Sequence, residues 1–71
     1  MTNREARERL RAVGWTYAGC RAEYNFGQVS VRWFAWGSPS RLFELSAIGP
    51  SRATANRRLV EFVEKHFGEG K

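Results

Sequence analysis

One segment, residues 28–37, constrains the fold of this chain more than any other. It is rich in β-branched and aromatic residues, and its side chains alternate with the period of two that a β-strand imposes. One face is an ordinary core face, made of Val29, Val31, Trp33 and Ala35. The other face carries Ser30, Arg32, Phe34 and Trp36. Two aromatic rings beside an arginine are unusual on a solvent-facing strand, so the pattern indicates a binding role for that face.

Length, cysteine content and charge set the broad class. With 71 residues we expect a single domain spanning 1–71, with 68–71 as a frayed tail. The one cysteine excludes an internal disulfide and suits a reducing compartment. No apolar run approaches the roughly 18 residues of a membrane span, so we expect a soluble, cytoplasmic protein. The net charge of +5 favours a polyanionic partner such as nucleic acid, although a GC-rich genome would produce the same arginine excess without a ligand.

Local signals predict a helix, three strands and a second helix. Thr2 and Glu5 form a capping-box pattern at the start of the first helix, and Gly14 is a suitable residue to end it. Ser51 is a good N-cap for the second helix. The predicted helices are 2–13 and 52–67, the strands are 15–24, 28–37 and 41–48, and the connections are a turn at 25–28 and a loop at 37–40.

The strand register is predicted from matching faces. With Asn25 opposite Gln28, Cys20 lies opposite Trp33, and with a five-residue connection Trp33 lies opposite Phe43. The predicted core comprises Val29, Val31, Trp33, Phe43 and Leu45 of the sheet, Ala6, Leu10 and Val13 of the first helix, and Ala55, Leu59, Phe62, Val63 and His66 or Phe67 of the second. The fold class is therefore α+β with the order αβββα, a three-stranded antiparallel sheet and both helices packed on one face.

The sequence shows no pattern for catalysis or metal binding. His66 is the only histidine and lies among core candidates near the end of a helix. Cys20 has no second cysteine with which to build a metal site. Aspartate is absent, and the glutamates show no converging pair. We therefore expect a non-enzymatic protein without a metal or other cofactor.

The start of the second helix has an unusual charge distribution. Arg52 lies in the first turn and Arg57 and Arg58 in the second, with no acidic residue before Glu61. These cations oppose the helix macrodipole at a cost of a few tenths of a kcal/mol each. A phosphate bound at residues 49–52 would make these positive charges favourable instead of unfavourable. A surface helix that tolerates the small penalty explains the same pattern equally well.

This helix start and the order of elements resemble the double-stranded RNA-binding domain. In that family the second helix opens with a glycine, a serine, a basic cluster and an alanine, and its first turns grip phosphates. The matching residues here are Gly49, Ser51, Arg52 and Ala55. Ala53 and Asn56 stand where the family prefers lysine, and the Gly-Pro-x-His loop between the first two strands is absent. The resemblance implies the αβββα fold and a phosphate-binding role.

A second, fold-level resemblance is to HicA-type toxins, which are small proteins that cleave messenger RNA. They also run a first helix into Gly-Trp, as Gly14 and Trp15 do here. Those toxins need a histidine on the sheet after that pair, and this sequence has none there. The resemblance therefore implies a fold without the activity.

Two kinds of partner remain open. The first is nucleic acid, either RNA or DNA, and the predicted contacts are Ser51, Arg52, Asn56, Arg57, Arg58, Arg4, Arg7 and Arg11. The second is a protein bound by the aromatic sheet face, as in a phage-type adaptor or inhibitor such as an anti-CRISPR protein, or a second copy in a homodimer. That face would equally stack the bases of a single strand. Its predicted residues are Tyr17, Arg21, Arg32, Phe34, Trp36 and Leu42.

Overall fold

A computed structural model describes residues 1–24, 31–40 and 43–67 of the chain. Its elements are α1 (Asn3–Ala12), β1 (Thr16–Tyr24), β2 (Val31–Ser40), β3 (Phe43–Gly49) and α2 (Arg52–His66). The strands form one antiparallel sheet in the order β1-β2-β3. The predicted α+β class and αβββα order are therefore confirmed. Neither helix of this described part combines the length and the apolar character that crossing a membrane requires.

Both helices begin at the predicted caps. The Glu5 amide donates to Thr2 Oγ1 at 3.1 Å, and the Thr2 amide donates to Glu5 Oε1 at 2.9 Å, which completes a capping box. The backbone hydrogen bond from Thr2 lowers the pKa of Glu5. At the other helix, Ser51 Oγ accepts from the Thr54 amide at 3.2 Å. Gly14 follows α1 with φ +83, a conformation that favours glycine.

Both helices lie on the same face of the sheet and meet over Gly37. A Cβ added to Gly37 would lie 3.2 Å from Leu10 Cδ1 of α1 and 3.5 Å from Leu59 Cδ2 of α2. The buried core consists of Ala6, Leu10, Trp15, Tyr17, Ala35, Ala55, Leu59, Val60 and Val63. The two helices therefore rest directly on the central strand, as predicted.

The strand registers differ from the predicted ones. The side chains of β2 and β3 nevertheless lie on the predicted sides of the sheet. Cys20 lies opposite Ala35 rather than Trp33, a shift of two residues. Trp33 lies opposite Gly49 rather than Phe43, a shift of six. Because both shifts are even, the side chains of β2 keep their predicted faces.

The predicted loop at 37–40 is wrong, because β2 continues through it. Ser40 pairs with Phe43, and the irregularity between Gly37 and Ser40 accommodates Pro39 within the strand. Gly37 leaves space for two helices instead of forming a turn. The predicted turn at 25–28, the core residue Val29, the interface residue Leu42 and the tail 68–71 lie outside the described residues.

A β-bulge in β1 turns Tyr17 inward, so its predicted exposure is wrong. The register shifts between Tyr17 and Gly19, and Gly19 has φ +135. Tyr17 consequently lies opposite Gly37 on the helix side and keeps only 7% of its surface exposed. Trp15, just before the strand, is buried as well.

Several predicted core aromatics lie at the surface instead. Phe43, Phe62 and Phe67 are each more than two-fifths exposed, and His66 is exposed, whereas Asn56 and Val60 take the buried positions on α2. The ring centroid of Trp15 lies 6.2 Å from the ring centroid of Phe43 and 5.2 Å from that of Phe67. We call this group the aromatic cluster, and its members are Trp15, Phe43, Phe62, His66 and Phe67.

Candidate nucleic-acid interface

The excess positive charge lies in the helical layer. α1 contains four arginines and two glutamates, and α2 contains three arginines, one lysine and two glutamates. The described strands contain two arginines and two glutamates, so they carry no net charge. Among the described residues, the helices therefore form a cationic side of the molecule and the open face of the sheet forms a neutral side.

A buried hydrogen-bond network holds the two helix N-termini side by side. The Tyr17 hydroxyl donates to Asn56 Oδ1 at 2.7 Å and lies 3.0 Å from Asn3 Oδ1. Asn56 Nδ2 donates to Asn3 Oδ1 at 2.8 Å and to the Met1 carbonyl at 3.4 Å. Burial raises the pKa of Tyr17 to about 12. The predicted phosphate contact at Asn56 is wrong, because this side chain is wholly buried and fully engaged.

An ion pair near the C-terminal ends of the two helices shows that the helices run in the same direction. Arg9 Nε and Nη2 donate to the two carboxylate oxygens of Glu64 at 3.0 and 2.5 Å. The hydrogen bond to Glu64 raises the pKa of Arg9. With Asn3 beside Asn56 and Arg9 beside Glu64, the helices run parallel. Their positive dipole ends therefore lie together.

Four arginines form a continuous strip along this side. Arg4, Arg7 and Arg11 are spaced by three and four residues, which places them on one face of α1. Arg4 shares a surface depression with Arg52 at the start of α2. Arg7 and Arg11 line a second depression. We call Arg4, Arg7, Arg11 and Arg52 the arginine strip.

Arg52 is oriented by a tryptophan. Its guanidinium carbon lies over the Trp33 ring, 5.0 Å from the ring centroid. A stacked guanidinium keeps its N–H donors in the plane of the group, where they can bind a phosphate with two hydrogen bonds. The cation–π contact also offsets the unfavourable position of Arg52 at the helix N-terminus.

Most of the strip has no counter-charge within the described part of the chain. There, Arg7, Arg11 and Arg52 make no ion pair, and neither does Arg57 of α2. Arg4 Nε lies 3.8 Å from Glu8, and both side chains are exposed, so this pair contributes little. The strip is therefore available to an external anion.

Two other predicted contacts have structural roles. Arg58 Nη1 donates to the Ile48 carbonyl at 2.9 Å and thereby covers part of the β3 edge. Ser51 caps α2 and donates its hydroxyl to Thr54 Oγ1 at 3.0 Å. The predicted contacts that stay available to an external anion are therefore Arg4, Arg7 and Arg11 of α1 and Arg52 and Arg57 of α2.

The open face of the sheet carries the predicted aromatic pair. The rings of Phe34 and Trp36 are stacked, with centroids 6.0 Å apart and planes 17° apart. Both are partly exposed, and Arg32 is exposed on the same face. Arg21 pairs with Glu23 at 3.5 Å.

Three contributors were missed by the sequence reasoning. Trp33 was assigned to the core, yet it supports Arg52. Ile48 is 44% exposed beside Phe34, and Glu44 borders the depression at Trp36. The neighbours of Ile48 and Glu44 follow only from the observed register of β3 against β2.

The potential metal ligands of the described residues form no metal-binding cluster. No group of three His, Cys, Asp or Glu residues lies close enough there to hold a metal ion. Cys20 is a free thiol whose pKa is raised by burial, which disfavours the reactive thiolate. His66 packs against Phe62 in the aromatic cluster.

Comparison of the chain with family models, curated proteins and solved structures finds no match. The resemblances to the double-stranded RNA-binding domain and to HicA-type toxins therefore stay predictions.

Proposed function

We propose that this chain is a small non-enzymatic binding module that holds nucleic-acid phosphates on the arginine strip. The observation that carries the proposal is a continuous row of four arginines on the only described layer with excess positive charge. A polyanion is drawn to that side of the molecule and oriented by it.

The dimensions of the strip suit a phosphate backbone. Arg4 and Arg11 are seven residues apart on α1, which corresponds to about 10 Å along the helix. Arg52 extends the row to the start of α2, where the helix dipole adds positive potential. All these contacts are to phosphates, so they supply affinity and salt dependence rather than sequence selection.

A titration of the purified chain against labelled nucleic acid tests this function. Duplex RNA, duplex DNA and single strands would each be followed by fluorescence anisotropy at two salt concentrations. If four phosphates are neutralised, binding to a duplex weakens roughly 100-fold between about 50 and 200 mM salt. The preferred ligand identifies the class of nucleic acid, and absence of binding at low salt would refute the proposal.

A pair of charge-matched variants separates the strip from net charge alone. Arg7→Gln with Arg52→Gln removes two positive charges from the strip, while Arg21→Gln with Arg32→Gln removes two from the sheet side. We expect the strip variant to lose at least about tenfold in affinity and about two units of salt slope, with the sheet variant close to wild type. Equal losses in both variants would mean that no specific surface is used. Circular dichroism checks that each variant is folded.

A further inference from the structure

The open face of the sheet keeps apolar surface exposed. Phe34 and Trp36 are only partly buried, and Ile48 is 44% exposed beside Phe34. Both helices lie on the opposite face, so no described helix covers these side chains. A contiguous patch of this kind on a small protein marks an interaction surface.

The charges on this face favour a second copy of the same chain. Arg21 and Glu23 of β1, Arg32 of β2 and Glu44 of β3 balance one another, whereas the helices on the far side carry the excess of cations. Two chains with a net charge of +5 repel each other least when they approach through their neutral sides. A face with equal numbers of both signs can also be complementary to itself.

The sheet register makes this complementarity specific. Arg21 lies opposite Phe34. On β3, Ile48 lies opposite Phe34 and Ser46 lies opposite Trp36. Glu44 lies two residues beyond Ser46, in the direction away from Ile48. Arg21 and Glu44 therefore lie on opposite edge strands and on opposite sides of Trp36, and both border the depression at Trp36. A two-fold axis through Trp36, in the plane between two such faces, brings each Arg21 onto Glu44 of the other copy.

We propose that the chain forms a homodimer through the open face, with Phe34, Trp36 and Ile48 at its centre and two reciprocal Arg21–Glu44 pairs at its margin. The two sheets would cross at a steep angle, close to orthogonal packing. Three strands about 4.8 Å apart and roughly seven residues long present ~350 Å² of projected area, below the ~800 Å² per partner of a standard interface. We therefore expect a micromolar dissociation constant.

This dimer is independent of the nucleic-acid proposal, because the helices and their arginine strip face outward in it.

The edges of the sheet are less suited to binding a second copy than its open face. The bulge at Ala18 interrupts the β1 edge, and Arg58 occupies the Ile48 carbonyl at the β3 edge. Association through the face is therefore favoured over strand addition at an edge.

Sedimentation equilibrium over roughly 5 to 500 μM tests the proposal, because the dimer has twice the chain's 8.2 kDa mass. Trp36→Ser should weaken dimerisation at least tenfold. Phe62→Ser, which removes an exposed ring from the aromatic cluster, is the matched control and should change it less than twofold. A wild-type chain that stays monomeric throughout, or a dimer broken by Phe62→Ser and not by Trp36→Ser, overturns the proposal.

A charge-swap experiment tests the pairing itself. Arg21→Glu gives a copy with two acidic groups at the margin, and Glu44→Arg gives a copy with two basic groups. Each variant alone should dimerise at least about tenfold more weakly than wild type, and an equimolar mixture should recover the dimer. Recovery supports the two-fold arrangement. Failure of the mixture to recover, when both variants are folded, rules that arrangement out.

Discussion

Three side chains join the beginnings of the two helices to the sheet. The Tyr17 hydroxyl lies within hydrogen-bond distance of Asn56 and Asn3, and the Asn56 amide group donates to Asn3. Every buried side-chain nitrogen and oxygen in the described residues has a partner. The network therefore satisfies its own polar groups, and it orients the helix ends that carry the arginine strip.

Removing the hydroxyl of Tyr17 should destabilise the fold. In Tyr17→Phe, Asn56 Oδ1 loses its 2.7 Å donor while remaining wholly buried. An unsatisfied buried acceptor costs about 1–3 kcal/mol. We expect the free energy of unfolding, measured with urea at pH 7, to fall by that amount, with Tyr24→Phe at an exposed position as the near-neutral control.

Wild type and Tyr17→Phe should respond differently to alkaline pH. Burial raises the pKa of Tyr17 from the ordinary 10.0 to about 12, so its neutral form is favoured in the folded state. The resulting stability is fully present below pH 10 and is lost as the pH rises towards 12. The difference in unfolding free energy between wild type and Tyr17→Phe should therefore shrink over that range. A difference that grows with pH would contradict the assigned cause.

The elements differ in how far the sequence predicts them, and the reason is the range of the interactions that define each one. The end of α1 and its capping box depend on neighbours within a few residues, so Thr2, Glu5 and Gly14 were sufficient. Hairpin registers depend on distant pairings and on the bulge beside Gly19, which alternation alone does not reveal. That bulge reverses the face of Tyr17.

The candidate site shows the same division. Phe34 and Trp36 keep their predicted face because the register shifts are even. The stacking of Arg52 on Trp33, by contrast, joins a strand and a helix through tertiary packing. No local pattern contains that contact, so the sequence indicated a basic helix start but not the support beneath it.

The junction between β3 and α2 depends on a glycine. A Cβ at Gly49 would lie 2.8 Å from the Ala55 amide nitrogen, which belongs to the backbone of the first turn of α2 and cannot move without displacing the helix. At Gly37 the nearest atom, 3.2 Å away, is the end of the flexible Leu10 side chain. The two positions therefore form a matched pair with different neighbours.

We expect Gly49→Ala to destabilise the protein by about 1–3 kcal/mol, the usual cost of overpacking, and to lower the melting temperature by roughly 5–20 °C. Gly37→Ala should cost less, because Leu10 can move. Thermal unfolding followed by circular dichroism measures both. If Gly37→Ala proves the more destabilising change, the strand–helix junction is not the rigid contact described above.

At the scale of the whole molecule, the two proposed surfaces divide one small domain between them. The helical layer has a net charge of about +4 and faces a polyanion, while the neutral sheet layer faces a second copy. In the dimer, the helical layers would lie roughly 30 Å apart, given sheets ~10 Å apart and helices ~10 Å across. Salt therefore acts on both associations, and in opposite directions.

Raising the salt concentration should strengthen the dimer while it weakens nucleic-acid binding. Two layers of charge +4 at that separation repel by ~0.8 kcal/mol in about 10 mM salt and by less than ~0.1 kcal/mol in about 150 mM salt. The dimer dissociation constant should consequently fall roughly fourfold over this range, as measured by sedimentation equilibrium. The Arg21–Glu44 pairs are exposed and weaken with salt, but surface pairs of this kind contribute little in total. A dimer that weakens steeply with salt would mean that ion pairs, rather than the burial of Phe34, Trp36 and Ile48, hold the two copies together.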